Sequence, residues 1–307
     1  MPKDLHSLPK LRDSLTYIYI EKAVIEQDAM SIVAIQGTHR TPIPIAAMTV
    51  LLLDPGTSIT QAAVKTISDC GCMVEWCGDR AQKFYAFGSG ETRSADNLLK
   101  QAELCMDQEK HMQVVYRMYQ RRFPDIKTDG MTLQQVRGLE GIRVREAYRQ
   151  AAKEAGVKWT KRDYKTTDWD DSDPVNQALS HANTILYALC QSAIISLGYS
   201  TGLGFIHTGK LLSFVYDIAD LYKATTTIPA AFQAAADPGG DLPAQVRLKC
   251  RQYLHAQKVL KRIPEDIAWI FDISGDTEET SAEAVGDLWD KDSGTIEGGK
   301  NYAGGDV

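Results

Sequence analysis

The hydrophobic pattern of this 307-residue chain changes its period near Gly88. Before that residue, short segments are rich in β-branched and aromatic residues, or alternate between apolar and polar side chains, as strands do. These segments are Ser14–Glu21, Ser31–Gln36, Thr41–Ile45, Thr49–Leu53, Met73–Trp76 and Lys83–Phe87. One helix is predicted among them, with Thr60 as its N-cap and its end near Asp69.

After the Gly88-Ser89-Gly90 linker, apolar residues recur with the period of helices. The predicted helices are Ser94–Met106, Gln108–Arg122, Leu133–Ala155, Pro174–Leu197, Leu212–Tyr222, a short one near Pro229–Ala236, and Pro243–Arg262. Thr132 with Gln135 has the spacing of a capping box, and Asp173 before Pro174 is typical of a helix start. The chain therefore predicts an α+β fold with a β-sandwich-like domain over residues 1–88 and an all-α domain over residues 89–274.

The distribution of charge marks a different boundary, near Pro264. Residues 264–307 hold twelve acidic and two basic residues, so the remainder carries +4 although the whole chain carries −6. Residues 109–165 alone carry +7. This asymmetry favours a body that binds a polyanion and a solvated acidic tail, although a solvated helical face explains the charge alone equally well. Apolar periodicity fades after Ser274, and residues 275–307 are expected to be disordered.

Composition excludes several other classes of protein. The N-terminus has no apolar segment of the signal-peptide type, and no apolar run is long enough to cross a bilayer, so we expect a cytoplasmic protein without membrane contact. Six cysteines are scattered, and only Cys70, Cys72 and Cys77 are clustered. They lack a CxxC spacing and a nearby histidine, which favours buried reduced thiols over a zinc site.

Ligand-type side chains are concentrated between His207 and Asp220. Asp217 and Asp220 are three residues apart, so on a helix both carboxylates share one face and one ion can lie between them. Taken singly, such a histidine is more often a satisfied core or surface residue, and each aspartate a solvated one. Their combination in one short apolar segment favours a hard divalent metal.

A second set of polar residues lies on the predicted helix Leu133–Ala155. Its Glu140 has Arg137 and Arg143 three residues to either side. An exposed ladder of salt bridges accounts for this pattern in most proteins. Phosphodiester chemistry, however, needs a carboxylate for the metal and guanidinium groups for the phosphate, and this face supplies both. Three carboxylates with one imidazole suit Mg²⁺ or Mn²⁺, provided that the fold brings Glu140 to His207 and Asp220.

The segments Gly138–Gly141, Gly198–Lys210 and Ser213–Asp220 resemble the integrase of the CRISPR adaptation module, and more specifically its type I-E branch. The resemblance extends from about Asp13 to Arg262. It implies an N-terminal β-domain and an α-helical catalytic domain. It also implies that Glu140, His207 and Asp220 are the metal ligands and that Asp217 is a further acidic group of the catalytic site.

The resemblance implies DNA contacts as well. Tyr164, Tyr187 and Tyr216 match tyrosines near the end of the captured DNA, where stacking on an unpaired base is favourable, although each alone is more often a core residue. Lys83 and Lys210 are expected to contact phosphate, and Arg137 and Arg143 are candidates for the same role.

The family also implies an activity and partners. We expect a homodimer that joins with a small ferredoxin-like protein into a heterohexamer, captures short double-stranded DNA and inserts it at a CRISPR repeat. The DNA 3′-hydroxyl would attack a phosphodiester, and water in its place would give endonuclease activity. The alternatives are a stand-alone structure-specific nuclease and a non-catalytic DNA-binding scaffold. The acidic tail is either inert or a segment that folds on a partner.

Overall fold

The computed structural model describes residues 15–78, 83–88, 95–125, 130–162, 173–237, 241–272, 288–290 and 294–296. The chain divides into two compact units, residues 1–274 and residues 275–307. Of the helices that these ranges contain, none combines the length and apolarity that a membrane crossing needs.

The first part of the larger unit consists of strands and one helix. Its strands are β1 (Leu15–Ile20), β2 (Val24–Asp28), β3 (Ser31–Gln36), β4 (His39–Ile43), β5 (Met48–Leu53), β6 (Ser58–Ile59), β7 (Met73–Gly78) and β8 (Lys83–Gly88). They form two four-stranded sheets, in the orders β1-β5-β7-β8 and β4-β3-β2-β6. The two sheets share a core with helix α1 (Gln61–Asp69), as expected for the predicted β-sandwich-like arrangement.

Local sequence explains most of these elements. Thr60 caps α1 by accepting a hydrogen bond from the Ala63 N–H, as predicted. Strand β2 was not predicted, because Glu26, Gln27 and Asp28 interrupt its apolar pattern. It forms nevertheless, since it pairs with β3 along its whole length and buries Ile25 between the sheets.

The sheet β1-β5-β7-β8 is covered on both faces. Leu51 and Leu53 of β5 point into the strand core, whereas Val50 and Leu52 belong to the core of the helices that follow. Such a continuous apolar run is typical of a strand buried on both sides. The sheet therefore separates two cores and contributes side chains to both, so the described strands and helices of the larger unit pack together.

The second part of the unit is helical, which confirms the predicted α+β class. Its helices are α2 (Asp96–Met106), α3 (Gln108–Arg122), α4 (Leu133–Ala155), α5 (Pro174–Ser196), α6 (Ser213–Asp220), α7 (Thr227–Ala235), α8 (Leu242–Ala256) and α9 (Val259–Phe271). Thr132 and Gln135 form the predicted capping box, and Asp173 caps α5. Helix α5 is buried along most of its length, and α6, α7, α8 and α9 all pack against it.

One predicted helix is wrong in its bounds. The expected single helix Pro243–Arg262 is two helices, because Lys258 takes a left-handed conformation with φ of 50° between α8 and α9. Helix α9 then continues beyond Arg262 to Phe271 and brings Asp266 and Trp269 onto the surface of α3.

The smaller unit contains two short described strands, β9 (Leu288–Asp290) and β10 (Gly294–Ile296), which pair antiparallel. The predicted disorder of residues 275–307 otherwise falls outside the described residues, and the predicted domain limits remain a prediction.

Candidate functional site

Helices α3 and α4 bring Glu140 into contact with two side chains that the sequence did not indicate. The Tyr119 hydroxyl donates a hydrogen bond to Glu140 Oε2 at 3.1 Å. The Arg122 guanidinium forms an ion pair with Glu140 Oε1. Burial and the neighbouring Glu140 charge raise the pKa of Tyr119 to about 12, so this residue stays a hydrogen-bond donor at neutral pH.

Asp220 lies at the last turn of α6 and faces the same arginine. Its Oδ2 is 3.5 Å from Arg122 Nη1, and its Oδ1 is 2.6 Å from Lys223 Nζ. Burial alone would raise the pKa of Asp220, but the charges of Lys223 and Arg122 outweigh burial and hold this pKa below its ordinary value. Asp220 is therefore ionised at neutral pH.

Glu140 and Asp220 thus flank a single nitrogen, Arg122 Nη1. Within the described ranges, no three His, Cys, Asp or Glu side chains stand together as a finished metal-binding group. The chemistry of the donors nevertheless fits a hard divalent ion, since two carboxylates already face a shared cation and His207 is an electrostatic neighbour of Asp220. The Arg122 guanidinium contacts both carboxylates.

Asp217 contacts other groups than Asp220 does, although both residues lie on α6. Its side chain is fully buried and accepts hydrogen bonds from the backbone N–H groups of Phe205 at 2.6 Å, Ile206 at 3.2 Å and His207 at 2.8 Å. The predicted arrangement, with one ion between Asp217 and Asp220, is not what the structure shows. Asp217 instead fixes the loop before α6.

Asp217 also orients the imidazole of His207. Its Oδ1 is 2.8 Å from His207 Nδ1, and this hydrogen bond is the main cause that raises the pKa of His207. A carboxylate on Nδ1 leaves Nε2 as the ring nitrogen available to a ligand. The imidazole is partly exposed, with 42% of its side-chain surface accessible, so Nε2 can be reached.

The loop before α6 requires a glycine at residue 204. A Cβ at residue 204 would lie 2.3 Å from the carbonyl oxygen of His207 and 2.7 Å from Ser213 Cβ. Only glycine allows that approach. The turn brings the backbone N–H groups of residues 205–207 onto Asp217, so the position of His207 follows from the Gly204 and Asp217 pair.

Two of the predicted tyrosines lie beside these groups. The Tyr187 and Tyr216 rings meet edge to face at 5.0 Å between centroids, and the Tyr216 ring lies 5.8 Å from the His207 ring. Lys223 Nζ lies 4.9 Å from the centre of the Tyr187 ring. Both tyrosines are half-buried, so each presents part of its ring at the site.

The remaining predicted DNA contacts are less well placed by the structure. Arg143 is exposed and pairs with Asp125, and Arg137 is an exposed neighbour of the Tyr119 hydroxyl. The ion pair of Glu140 is formed with Arg122, and not with Arg137 or Arg143 of its own helix. Lys210 is exposed. Tyr164 and the side chain of Lys83 lie outside what the structure describes.

Tyr119, Arg122 and Lys223 were missed by sequence reasoning. Lys223 carries a signal, because it follows Asp220 at the i+3 spacing of an ion pair. Arg122 and Tyr119 are 18 and 21 residues from Glu140, and nothing local marks either as its partner.

Comparison with known proteins gives a consistent result. A family model described as CRISPR associated protein Cas1 matches residues 120–236, which include every residue of this site except Tyr119. The CRISPR-associated endonuclease Cas1 2 of Thermus thermophilus is 45% identical over 99% of this chain and 95% of its own. The CRISPR-associated endonuclease Cas1 of Escherichia coli K12 is 37% identical over 84% of this chain and 85% of its own.

A solved structure extends the likeness to the fold. The crystal structure of a TtCas1–DNA complex matches with a TM-score of 0.81 and 43% identity, over 93% of this chain and 100% of that one. Because the sequence identity extends over nearly the whole length, the chain belongs to the Cas1 family of CRISPR-associated endonucleases.

Proposed function

We propose that this protein is a metal-dependent DNA integrase of CRISPR adaptation, of the type I-E branch. It would join the 3′-hydroxyl ends of short double-stranded DNA to a CRISPR repeat by transesterification. The same site would cut DNA when water replaces the hydroxyl. The observation that carries the proposal is the pair of carboxylates, Glu140 and Asp220, that flank one cation beside an oriented imidazole.

In this proposal, Glu140, Asp220 and the Nε2 atom of His207 would hold Mg²⁺ or Mn²⁺. The chemistry that such an ion supplies is orientation of the attacking hydroxyl and compensation of the charge that develops on the phosphate. Asp217 would act as a positioning residue, because its carboxylate contacts the loop and the imidazole.

The cations of the site would serve the phosphate. Arg122 contacts both carboxylates, and its guanidinium can bind two phosphate oxygens in the planar manner typical of arginine. Lys223 is held by Asp220 next to the Tyr187 ring. Tyr187 and Tyr216 would stack on an unpaired base, and Lys210, Arg137 and Arg143 offer exposed charge to the DNA backbone. The DNA complex of the relative that is 43% identical supports a DNA ligand.

The proposed assembly is a homodimer joined to a small ferredoxin-like partner in a heterohexamer. Strands β4 and β8 each end a sheet, and β8 exposes Tyr85 and Phe87, so these edges can contact a second copy. The small ferredoxin-like partner is proposed from the family resemblance alone.

The test incubates the protein and its small partner with Mg²⁺ or Mn²⁺, a supercoiled plasmid that carries a CRISPR repeat, and short duplexes. Duplexes with free 3′ ends should become joined to the plasmid, and duplexes with blocked 3′ ends should not. Products that need no 3′-hydroxyl would overturn integration, and nicks without joined strands would favour a stand-alone nuclease.

A variant of Asp220 tests whether the carboxylate site is catalytic. Asp220→Ala should reduce joining by about two orders of magnitude or more and weaken Mn²⁺ binding in a calorimetric titration without DNA. The matched control Glu146→Ala removes an exposed carboxylate of α4 and should leave both unchanged. Full activity of Asp220→Ala would favour the non-catalytic scaffold.

A further inference from the structure

Two cavities lie side by side on the face of α3 that the carboxylate site does not use. The larger, of about 640 Å³, is lined by Gln113, Tyr116, Arg117, Gln120, Gly130, Met131 and Thr132. The smaller, of about 350 Å³, is lined by Gln120, Arg121, Pro124, Arg262 and Trp269. Both include Gln120, so together they form one groove, which we call the α3 groove.

The groove has an aromatic wall that the fold does not bury. The Trp269 side chain is 43% exposed although its neighbour Ile270 is fully buried. The Arg121 guanidinium lies 5.6 Å from the centre of the Trp269 ring, a cation–π contact that braces the indole. The exposed part of the indole offers a flat apolar surface on which a planar ligand can stack.

The smaller cavity carries a positive charge, whereas in the larger cavity Arg117 is balanced by its ion pair with Asp272. Asp266 is fully buried, and Arg121 binds it through Nε at 2.6 Å. The Arg262 Nη2 atom is 3.7 Å from the other oxygen of the same carboxylate, to which the Tyr222 hydroxyl also donates. Two arginines therefore share one carboxylate, which leaves the smaller cavity with a net positive charge.

The polar groups of the floor suit a sugar–phosphate chain. Gln113 and Gln120 are exposed amides two turns apart on α3, and Arg117 lies between them on the same face. Amides and guanidinium groups bind phosphate and sugar without regard to base sequence. Aromatic side chains interleaved with such groups are typical of proteins that bind single-stranded nucleic acid.

The groove and the proposed reaction centre lie on different faces of one helix. Arg121 faces the groove, whereas the next residue, Arg122, contacts Glu140 and Asp220. Helix α3 thus presents one arginine to each site, because consecutive residues of a helix point about 100° apart.

We propose that the α3 groove binds an unpaired segment of DNA, with a base stacked on Trp269 and phosphates near Arg121, Arg262 and Gln120. This site rests on the proposed function, since a DNA substrate is part of it. The duplex is disfavoured as the ligand because its bases expose their faces only at the ends. An acidic peptide would use the arginines but gain little from the indole.

The test measures the fluorescence anisotropy of a labelled oligothymidylate of about ten nucleotides, a length within the range that single-strand sites cover, with the full chain and no added metal. Trp269→Ala should weaken binding about tenfold, and Trp269→Phe should restore most of it. Gln120→Glu, which places a negative charge in the groove, should weaken it severalfold and more strongly at low salt.

Two control variants make comparable changes at exposed positions outside the α3 groove. Leu248→Ala removes an exposed apolar side chain of α8, and Gln27→Glu changes an exposed amide of β2. Both should bind the oligonucleotide within twofold of the unmodified protein. The thermal midpoint of every variant is measured, and the Trp269→Phe and Trp269→Ala pair keeps the test valid if truncation lowers stability.

Three results would overturn the proposal. One is binding by Trp269→Ala and Gln120→Glu within twofold of the unmodified protein. Another is an equal loss on a blunt duplex of the same length. The third is displacement of the oligonucleotide by a polyglutamate peptide whose own affinity depends on Trp269, which would assign the groove to an acidic protein. All three leave the Asp220 test of integration unaffected.

Discussion

Glu75 provides a quantitative test of the packing between the strands and the helices. It lies on β7 at 2% exposure, and its neighbour Met73 on the same face belongs to the helical core. Its Oε2 atom has no hydrogen-bond partner among the described residues. Burial alone raises the pKa of Glu75 from 4.5 to about 8.

The sign of the effect on stability follows from proton binding. Between pH 4.5 and about 8 the unfolded chain has lost the Glu75 proton while the folded chain retains it, so the free energy of unfolding falls as pH rises. Above the folded pKa the loss is complete. Glu75→Gln mimics the protonated side chain and removes this dependence. At neutral pH it should raise the free energy of unfolding by about 3 kcal/mol, from about 1.4 kcal/mol per pH unit.

The assay is urea unfolding of the natural protein and Glu75→Gln at about pH 5 and at about pH 8. The stability of the variant should exceed that of the natural protein at the higher pH and approach it at the lower. Glu154→Gln on α4 is the control, since it makes the same change at an exposed position. A difference of equal size at both pH values would refute the reasoning, because an uncharged packing effect does not titrate.

Three further predictions concern the carboxylate site. Asp217→Asn should lower the pKa of His207, because the hydrogen bond from Asp217 is the main cause that raises this pKa. The same change should cost about 2–4 kcal/mol of stability, because it weakens buried hydrogen bonds. An NMR titration of His207 and urea unfolding measure the two effects, and an unchanged pKa would contradict the role given to Asp217. Arg122→Gln should tighten Mn²⁺ binding about tenfold, as measured by calorimetry, because a competing cation is removed; weaker binding would show that Arg122 organises the carboxylates and does not compete. Gly204→Ala should destabilise the protein by at least about 2 kcal/mol, since its Cβ meets the His207 carbonyl; a thermal midpoint equal to that of the natural protein would rule this out.

Much of the fold follows from local sequence. Thr60, Thr132 and Asp173 cap helices where their side chains predict caps, because capping depends only on the next three residues. The break at Lys258 was not predictable, since nothing local favours a left-handed lysine there. It is imposed by the packing of α9, whose Ile263, Ile267 and Ile270 are buried.

The candidate site also combines features that local sequence predicts with contacts that only the packed fold creates. The residues between His207 and Asp220 are close in sequence, so their proximity in space could be expected. The role of Asp217 could not, because the helical spacing that places it near Asp220 does not show that its oxygens face the loop of residues 205–207. Arg122 meets Asp220 across 98 residues, and only the packed fold brings them together.

The sheet shared by the two cores has a consequence for folding. Removing the strands would uncover the part of α5 that packs against β5, where Val50 and Leu52 belong to the helical core, so residues 89–274 alone would expose a large apolar surface. The hydrogen bond of 2.7 Å from the Tyr17 hydroxyl to the Arg247 carbonyl would be lost as well. The carboxylate site and the strand core are therefore expected to form one cooperative unit. Unfolding should be a single transition, in which a strand mutation lowers the midpoint reported by His207 and by the strands alike.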